Sequence, residues 1–468
     1  MRASVAFTLL ITAVAASLWL PNLFTYGMFM DGVINASVAK LYAEGTGSFF
    51  HLQERYYENG AYVGHPPLAF VMQGSFFKIF GTAYYMDKLY SMLCALAQLV
   101  LIVLGWRVLV TDKKLKAYAW LPCMLWLLSP IISWGYSSNL LENTMSLFTT
   151  AALIAVLAYV HKGKQMLAMA VLSGAFVFAA VLCKGPVGLF VLAAPMLLVE
   201  VRGGFTLKKA VAFSTIMAVS FALLLGGLLL LPDARQLASA YLNTQISPSI
   251  STEGASLLNR LQLIPNLLKA LLPLLIIAAV VLIGKRWLPF KDDRQERTLG
   301  IRLLLLGLCA TLPIMLSNKQ SAFYVIPAMP IFALGFALLM ASPVRILCER
   351  FVTAKVCIGI GALSTICIVA MVLLSVWNTG NIIRDVDMLR DLERVSEIMA
   401  EDKSLLDQHN EFIAEYHLKA YLNRLHGKAV YSQGQGTWII TKKDNPYLGV
   451  GQNFYEGKSV RLLYNKQE

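Results

Sequence analysis

Asp31 is the first acidic residue of the chain, and it falls just past the first apolar stretch, residues 4–24. A carboxylate held where membrane meets water is costly to place without a use. It suits a base acting on a substrate whose other half is buried in lipid. The structural alternative is a helix cap, since Asp is favoured there and Ala36 to Ala43 reads as a short interfacial helix. Lys184 and Lys319 are isolated cations, each at one end of an apolar stretch. Such a lysine either holds an anion or snorkels to water. Arg260, ahead of Pro265, is another, for which plain solvation is an equal reading. Glu142 follows Ser137-Ser138-Asn139 at the start of an apolar stretch. There it either orients an acceptor or catalytic group or marks the membrane boundary. Tyr62 and Tyr324 offer hydroxyls for anion binding, but tyrosines also populate interfacial aromatic belts. His65 can donate one hydrogen bond when neutral and two when protonated.

The elements that must position these residues are membrane spans. The chain is 57% apolar and 14% charged, against roughly 25% charged for a soluble domain, and its mean hydropathy is +0.62. Apolar runs of about 20 residues, the length that crosses a bilayer core, recur along most of it. The pattern predicts about eleven spans, at 4–24, 89–110, 117–134, 140–160, 166–182, 186–200, 210–231, 266–284, 300–316, 322–342 and 354–377. The pair 166–200 is interrupted by Lys184-Gly185-Pro186. Met1-Arg2 ahead of an apolar run resembles a signal peptide. The length of the run and the absence of a clear small-x-small cleavage site before Asp31 favour a retained span.

The net charge of +13 is a topology signal. With the N-terminus in the cytoplasm, the inner connections are 112–116, 161–164, 202–209, 285–302 and 345–355, and every one is basic, as the positive-inside rule requires. Asp31, Lys184 and Lys319 then share the outer face. No basic stripe with interleaved aromatics indicates nucleic acid.

Three outer regions are large: 25–88, 232–265 and everything after 377. The second, rich in Ser, Thr, Asn, Pro and Gly, reads as a mobile loop. From 378 to 468 the apolar runs stop. Residues 383–399 carry Val386, Leu389, Leu392, Val395 and Ile398 at helical spacing, while 437–441 and 460–464 read as short strands. The expected fold is therefore an all-α polytopic membrane protein, residues 1–377, with a small extracytoplasmic α/β domain, 378–468. The seven cysteines imply no disulfide framework and no zinc spacing. Asp31, His51, Glu54, Glu58 and His65 share the first outer region without a metal-ligand spacing, so a divalent cation is neither indicated nor excluded.

The order of these motifs resembles the GT-C glycosyltransferases of the ArnT and protein O-mannosyltransferase type. The matching stretch runs from Asp31 through Ala36, Ala39, Tyr42 and Gly45 to Tyr62, His65-Pro66-Pro67-Leu68, Phe80-Gly81 and Lys88-Leu89. Cys183-Lys184-Gly185-Pro186 is similar to the family's Thr-Lys-Gly-Pro turn. Ser317 to Tyr324, with Pro327 and Pro330, is similar to its Ser-x-Lys…Tyr…Pro…Pro span. The chain departs from the pattern at Gly32, where a second acidic residue is usual, at His65, where lysine is usual, and at Glu142, where many relatives carry Asp.

The resemblance implies a GT-C fold and transfer of a hexosyl or pentosyl unit from a polyprenyl-phosphate carrier, such as undecaprenyl phosphate, at the outer face of a bacterial inner membrane. In that chemistry phosphate is already a good leaving group. One base for the acceptor and cations for the phosphate suffice, and no acid–base pair of the glycoside-hydrolase kind is needed. Asp31 is then the base. Tyr62, His65, Lys184, Arg260, Lys319 and Tyr324 contact the donor phosphate, and Glu142 orients the acceptor or a catalytic group. The acceptor, whether glycolipid, polysaccharide or protein, stays open. The competing class is a lipid-linked sugar transporter or flippase. The absence of an internal repeat and the scarcity of mid-depth charge weigh against it. A non-catalytic scaffold leaves Asp31 and the Lys-Gly-Pro turn without a purpose.

Overall fold

The structure is a computed structural model. It describes residues 3–54, 61–201, 204–250, 260–284, 294–400, 402, 404–407, 415–431, 438–443 and 452–464. Glu58, Arg202, 251–259, the basic stretch 285–293 and Thr437 lie outside these residues.

The first part of the chain is helical. In order it forms α1 (Ala3–Trp19), α2 (Met30–Ala43), α3 (Leu68–Phe80), α4 (Met86–Leu109), α5 (Trp120–Leu127), α6 (Pro130–Ser137), α7 (Leu141–Lys162) and α8 (Met166–Lys184). There follow α9 (Ala194–Leu197), α10 (Leu207–Leu229), α11 (Pro232–Tyr241), α12 (Ser247–Ile250), α13 (Leu263–Gly284), α14 (Arg294–Thr311), α15 (Met329–Phe351) and α16 (Ala354–Trp377). Among the described residues, 9 helices are long and apolar enough to cross a membrane. A helix leaves no backbone group unsatisfied in lipid, which is why apolar sequence of this length takes this form.

The packing matches a lipid environment. Leu223 is 71% exposed and Leu363 69%, so large apolar side chains face outward. At the centre, the segment Ala322–Phe351 is 89% buried over its most apolar stretch. The span expected at 117–134 is a bent pair, with α6 turning 75° from the helix before it. Pro130 sits in the first turn of α6, where it starts the new helix without losing a backbone bond.

The span expected at 186–200 is not an α-helix. Pro186–Ala193 winds as a 3-10 helix before the short α9. It still runs the length of the bundle. Lys184 pairs with Glu142 at the start of α7, whereas Phe205 and Phe213 pack on Tyr159 at the other end of α7, with ring centroids 5.9 Å and 5.3 Å away. A 3-10 helix rises about 2.0 Å per residue against about 1.5 Å for an α-helix, so a short segment covers the distance. Arg345 at the C-terminal end of α15 donates to Asp112 at 2.8 Å, joining two of the basic connections at that same end of the bundle.

The region 232–265, read as a loop from its composition, is largely helical where described. Pro232 opens α11, a π-helical turn spans Leu242–Ile246, and α12 follows. Proline at a first-turn position starts a helix as readily as it breaks one.

The C-terminal part is a small α/β unit: α17 (Val386–Met399), β1 (Ser404–Leu406), α18 (Tyr416–Tyr421), β2 (Ala429–Tyr431), β3 (Trp438–Lys442), β4 (Gln452–Glu456) and β5 (Val460–Tyr464). The sheet order is β2-β1-β3-β5-β4; β1 is parallel to β2 and β3, and β5 is antiparallel to β3 and β4. Leu389, Leu392 and Val395 of α17 pack on Ile440 and Leu462, and this core continues into Met28 and Val33 of the membrane part. The unit is thus seated directly on α2. Lys40 donates to the carbonyls of Asn423 and Arg424, each at 3.1 Å. Arg424 grips Asp87 at 2.6 Å and the carbonyls of Thr82 and Ala83 at 2.9 Å.

Candidate active site

Asp31 is not a helix cap. The cap position of α2 belongs to Phe29, which makes no side-chain cap bond, and Asp31 lies in the first helical turn. The amide ends exposed there favour a negative charge. Burial raises the Asp31 pKa above the usual carboxylate value, while the Lys184 ammonium nearby pulls it back down.

The N-terminus of α2 is clamped to the turn that leads into α7. A Cβ at Gly32 would stand 1.9 Å from the Ser138 carbonyl oxygen, so no side chain fits. Asn139, held at φ 49°, donates to the Gly32 carbonyl at 3.1 Å, and Asn35 donates to the Asn139 carbonyl at 3.2 Å. The departure from a second acidic residue at position 32 has this steric cause. The same clamp sets Asp31 and Glu142 on neighbouring elements of one site.

Glu142, 1% exposed, is ion-paired with Lys184. Its second oxygen, Oε2, is buried with no hydrogen-bond partner among the described residues. The Lys184 ammonium also lies over the rings of Phe323 and Tyr324, 5.0 Å and 4.9 Å from their centroids. Chain direction reverses just after it: Gly185 has φ +84°, and the Tyr241 hydroxyl donates to the Lys184 carbonyl at 3.4 Å. A Cβ at Gly185 would meet that hydroxyl at 2.3 Å, so glycine is required twice over.

Lys319 approaches from the other side. Its ammonium donates to Gln245 Oε1 at 3.0 Å, and its backbone N–H donates to Ser317 Oγ at 3.1 Å. The Asn318 N–H donates to the Ser249 carbonyl at 2.7 Å, which ties this turn to α12.

Two adjoining cavities result. The larger, ≈ 470 Å³, has apolar walls from Val187, Phe190, Ile250 and Pro313, and a polar end formed by Glu142, Lys184, Lys319 and Tyr324. The smaller, ≈ 340 Å³, is lined by Asp31, Asn35, Glu54, Tyr62 and Tyr416 among others. His65 and Gln245 border both. Burial, together with the positive charges of Lys184 and Lys319, drives the His65 pKa well below the ordinary histidine value, so the ring is neutral near pH 7. Its Nδ1 is buried without a partner among the described residues.

The arrangement brings together most of the residues singled out in the sequence, with two exceptions. Tyr62 lines the Asp31 cavity rather than the lysine cavity. Its N–H is fixed to the Leu52 carbonyl at 2.8 Å and its ring packs edge-on against Phe70. Arg260 lines neither cavity; its carbonyl accepts from Gln320 at 2.8 Å. Sequence reading missed Gln245, Tyr241 and Tyr416, and placed Glu54 only among metal candidates. Among the described residues, no three His, Cys, Asp or Glu side chains gather as a metal site. A polar residue in a Ser/Asn-rich stretch, or a tyrosine in a separate domain, carries no local signal that it faces a cavity.

Fold and site together define a polytopic helical membrane-type protein with a carboxylate and two lysines at one end of the bundle. The structure is similar to ArnT from Cupriavidus metallidurans bound to undecaprenyl phosphate, with TM-score 0.64 and 15% identity over 98% of each chain. It is similar to the apo state of the same enzyme with TM-score 0.65 and 15% identity, over 99% of this chain and 98% of that one. At this identity the likeness is one of fold. No family model and no curated protein sequence matches the chain.

Proposed function

We propose that the protein is a membrane glycosyltransferase that moves a hexosyl or pentosyl unit from a polyprenyl-phosphate carrier to an acceptor at the outer face of the plasma membrane. The observation that carries this reading is the junction of the two cavities. An apolar cavity ends in two lysines, and a carboxylate lies just beyond it across His65 and Gln245. Such a pair of spaces suits a lipid tail with its phosphate on one side and a nucleophile with its base on the other. The fold shared with ArnT supports the reading.

In the proposed reaction the carrier lies in the apolar cavity with its phosphate on Lys184 and Lys319. Tyr324 and the neutral His65 are within the same lining and donate hydrogen bonds. Asp31 takes the proton from the acceptor hydroxyl or amine as its oxygen or nitrogen bonds to the anomeric carbon. The bond from that carbon to the phosphate oxygen breaks, and its electron pair stays on the phosphate. Direct displacement inverts the anomeric centre. Glu142 holds Lys184 in place before the phosphate arrives. Tyr62 stands on the acceptor side, and Arg260 is given no part.

The orientation follows from charge. The basic connections joined by Arg345 and Asp112 lie opposite the Asp31 end, which favours a cytoplasmic N-terminus and an extracytoplasmic C-terminal domain.

The test is transfer by the purified protein from a panel of radiolabelled polyprenyl-phosphate sugars into a membrane extract, beside Asp31→Asn. Label reaching a new product only with native protein is the expected result. Labelled lipid crossing vesicles equally well with both proteins, and no donor consumed, supports a transporter instead.

A further inference from the structure

The smaller cavity carries more information than the position of a base. Among the described residues that line it, the acidic groups are Asp31 and Glu54, and no lysine or arginine is present. Both lysines of the proposed donor site line the larger cavity only. Glu54 is 4% exposed, so its carboxylate belongs to the interior and not to the solvated surface. Lys419 of α18, which does not line the cavity, faces Glu54 and Asp407.

The outer wall comes from the C-terminal domain. Tyr416, the first residue of α18, is 36% exposed and lines the cavity together with Tyr62. Its position is fixed by the docking of that domain on α2 through Lys40 and through the Arg424–Asp87 pair. Two aromatic rings, two carboxylates and the amides of Asn35 and Gln245 therefore border a space of ≈ 340 Å³.

An anionic acceptor entering this space meets like charge, which selects against it. A sugar ring meets complementary groups. Its C–H face is apolar and packs on an aromatic ring, and its rim of hydroxyls donates to carboxylate and amide oxygens. A cavity of a few hundred Å³ with a few convergent polar groups is also of the size that holds a small ligand.

We propose that this cavity is the acceptor subsite and takes an uncharged, hydroxyl-rich sugar, with Tyr416 as the stacking wall and Glu54 as an acceptor for sugar hydroxyls. The assignment rests on the transferase reading for the word acceptor, but its charge selectivity can be measured without turnover. It also gives the C-terminal domain a task, since that domain supplies one wall of the subsite.

The experiment uses the full-length protein in nanodiscs, with no donor present, on an array of matched neutral, phosphorylated and uronic-acid-bearing oligosaccharides and Ser/Thr peptides. Binding of fluorescent undecaprenyl phosphate is read in parallel. Neutral glycans are the members expected to be retained. Tyr416→Ala and Glu54→Gln are expected to weaken that retention about tenfold each, the loss of one good contact, while Tyr416→Phe keeps it. Undecaprenyl phosphate binding, unchanged in all three variants, reports that they are folded. Preference for phosphorylated or uronic-acid members, capture of peptides, retention of no glycan, or indifference to Tyr416→Ala overturns the proposal. Failure of the transferase reading looks different: neutral glycans bind in the Tyr416-dependent way, but undecaprenyl phosphate does not bind at all.

Discussion

Lys184 and Glu142 form a buried ion pair between the end of α8 and the start of α7, with the ammonium also resting over the rings of Phe323 and Tyr324. Glu142 is 1% exposed and Lys184 9%. The pair places a cation in the lining of the larger cavity with its charge matched by a buried carboxylate.

Breaking this pair from one side leaves an uncompensated buried charge, which costs about 3–5 kcal/mol. Lys184→Met is therefore expected to lower the unfolding temperature and to abolish undecaprenyl phosphate binding. In the double variant Lys184→Met/Glu142→Gln the stability returns, because no buried charge is left alone, but lipid binding does not. Thermal unfolding in detergent and a lipid-binding titration separate the two effects. Recovery of lipid binding in the double variant would show that Lys184 serves the fold only.

In the proposed reaction Asp31 sets the pH dependence. Its pKa is raised by burial, so the carboxylate takes up a proton at a higher pH than an ordinary aspartate near about 3.9. Transfer needs the deprotonated form, so kcat/KM is expected to fall as pH drops through that raised value. Asp31→Asn should lower the rate by about 10²–10⁴ and remove the acid limb, with donor binding retained. His65 adds no limb near neutral pH, because its pKa lies well below the ordinary histidine value. Its effect is on stability: the native ring resists a proton that the unfolded ring accepts. The stabilisation is full above about pH 6.5 and is lost as pH falls below it. Unfolding temperatures measured across that range should slope less steeply in His65→Gln than in the native protein.

Gln245 connects the two cavities through its bond to Lys319. In the proposed reaction a phosphate takes the Lys319 ammonium, which releases the Gln245 amide at the boundary where the transferred sugar would sit. Gln245→Leu is expected to change undecaprenyl phosphate binding by no more than about tenfold, because the Lys319 ammonium exchanges its Gln245 hydrogen bond for one to the phosphate, and to lower kcat more than it raises KM. A pure KM effect on the donor would mean that Gln245 acts only by holding Lys319.

Arg424 and Asp87 fasten the C-terminal domain to α4, with Asp87 3% exposed. Arg424→Met strands the Asp87 carboxylate, and the expected cost is again about 3–5 kcal/mol. Limited proteolysis should then release the domain beyond residue 378 faster than in the native protein. Pairing it with Asp87→Leu should restore resistance, because an apolar pair of similar volume is often no less stable than a buried salt bridge.

The sequence by itself determined the membrane character of the chain and the placement of most spans. Both rest on local hydropathy and on the sign of charge in connections, which are properties of short windows. It also picked out Asp31, Lys184 and Lys319, because each breaks the surrounding pattern of apolar or neutral residues. Tertiary structure decided the rest. Only packing shows that Glu142 neutralises Lys184, that Gly32 is forced by the Ser138 carbonyl, and that Asp31 sits inside the helix rather than capping it. The 3-10 passage at 186–193 reads in sequence like any apolar span, because hydropathy does not distinguish one helical winding from another. Likewise Tyr416 and Gln245 look like ordinary polar-region residues until distant elements dock, since facing a cavity is a relation between elements and leaves no mark on either one alone.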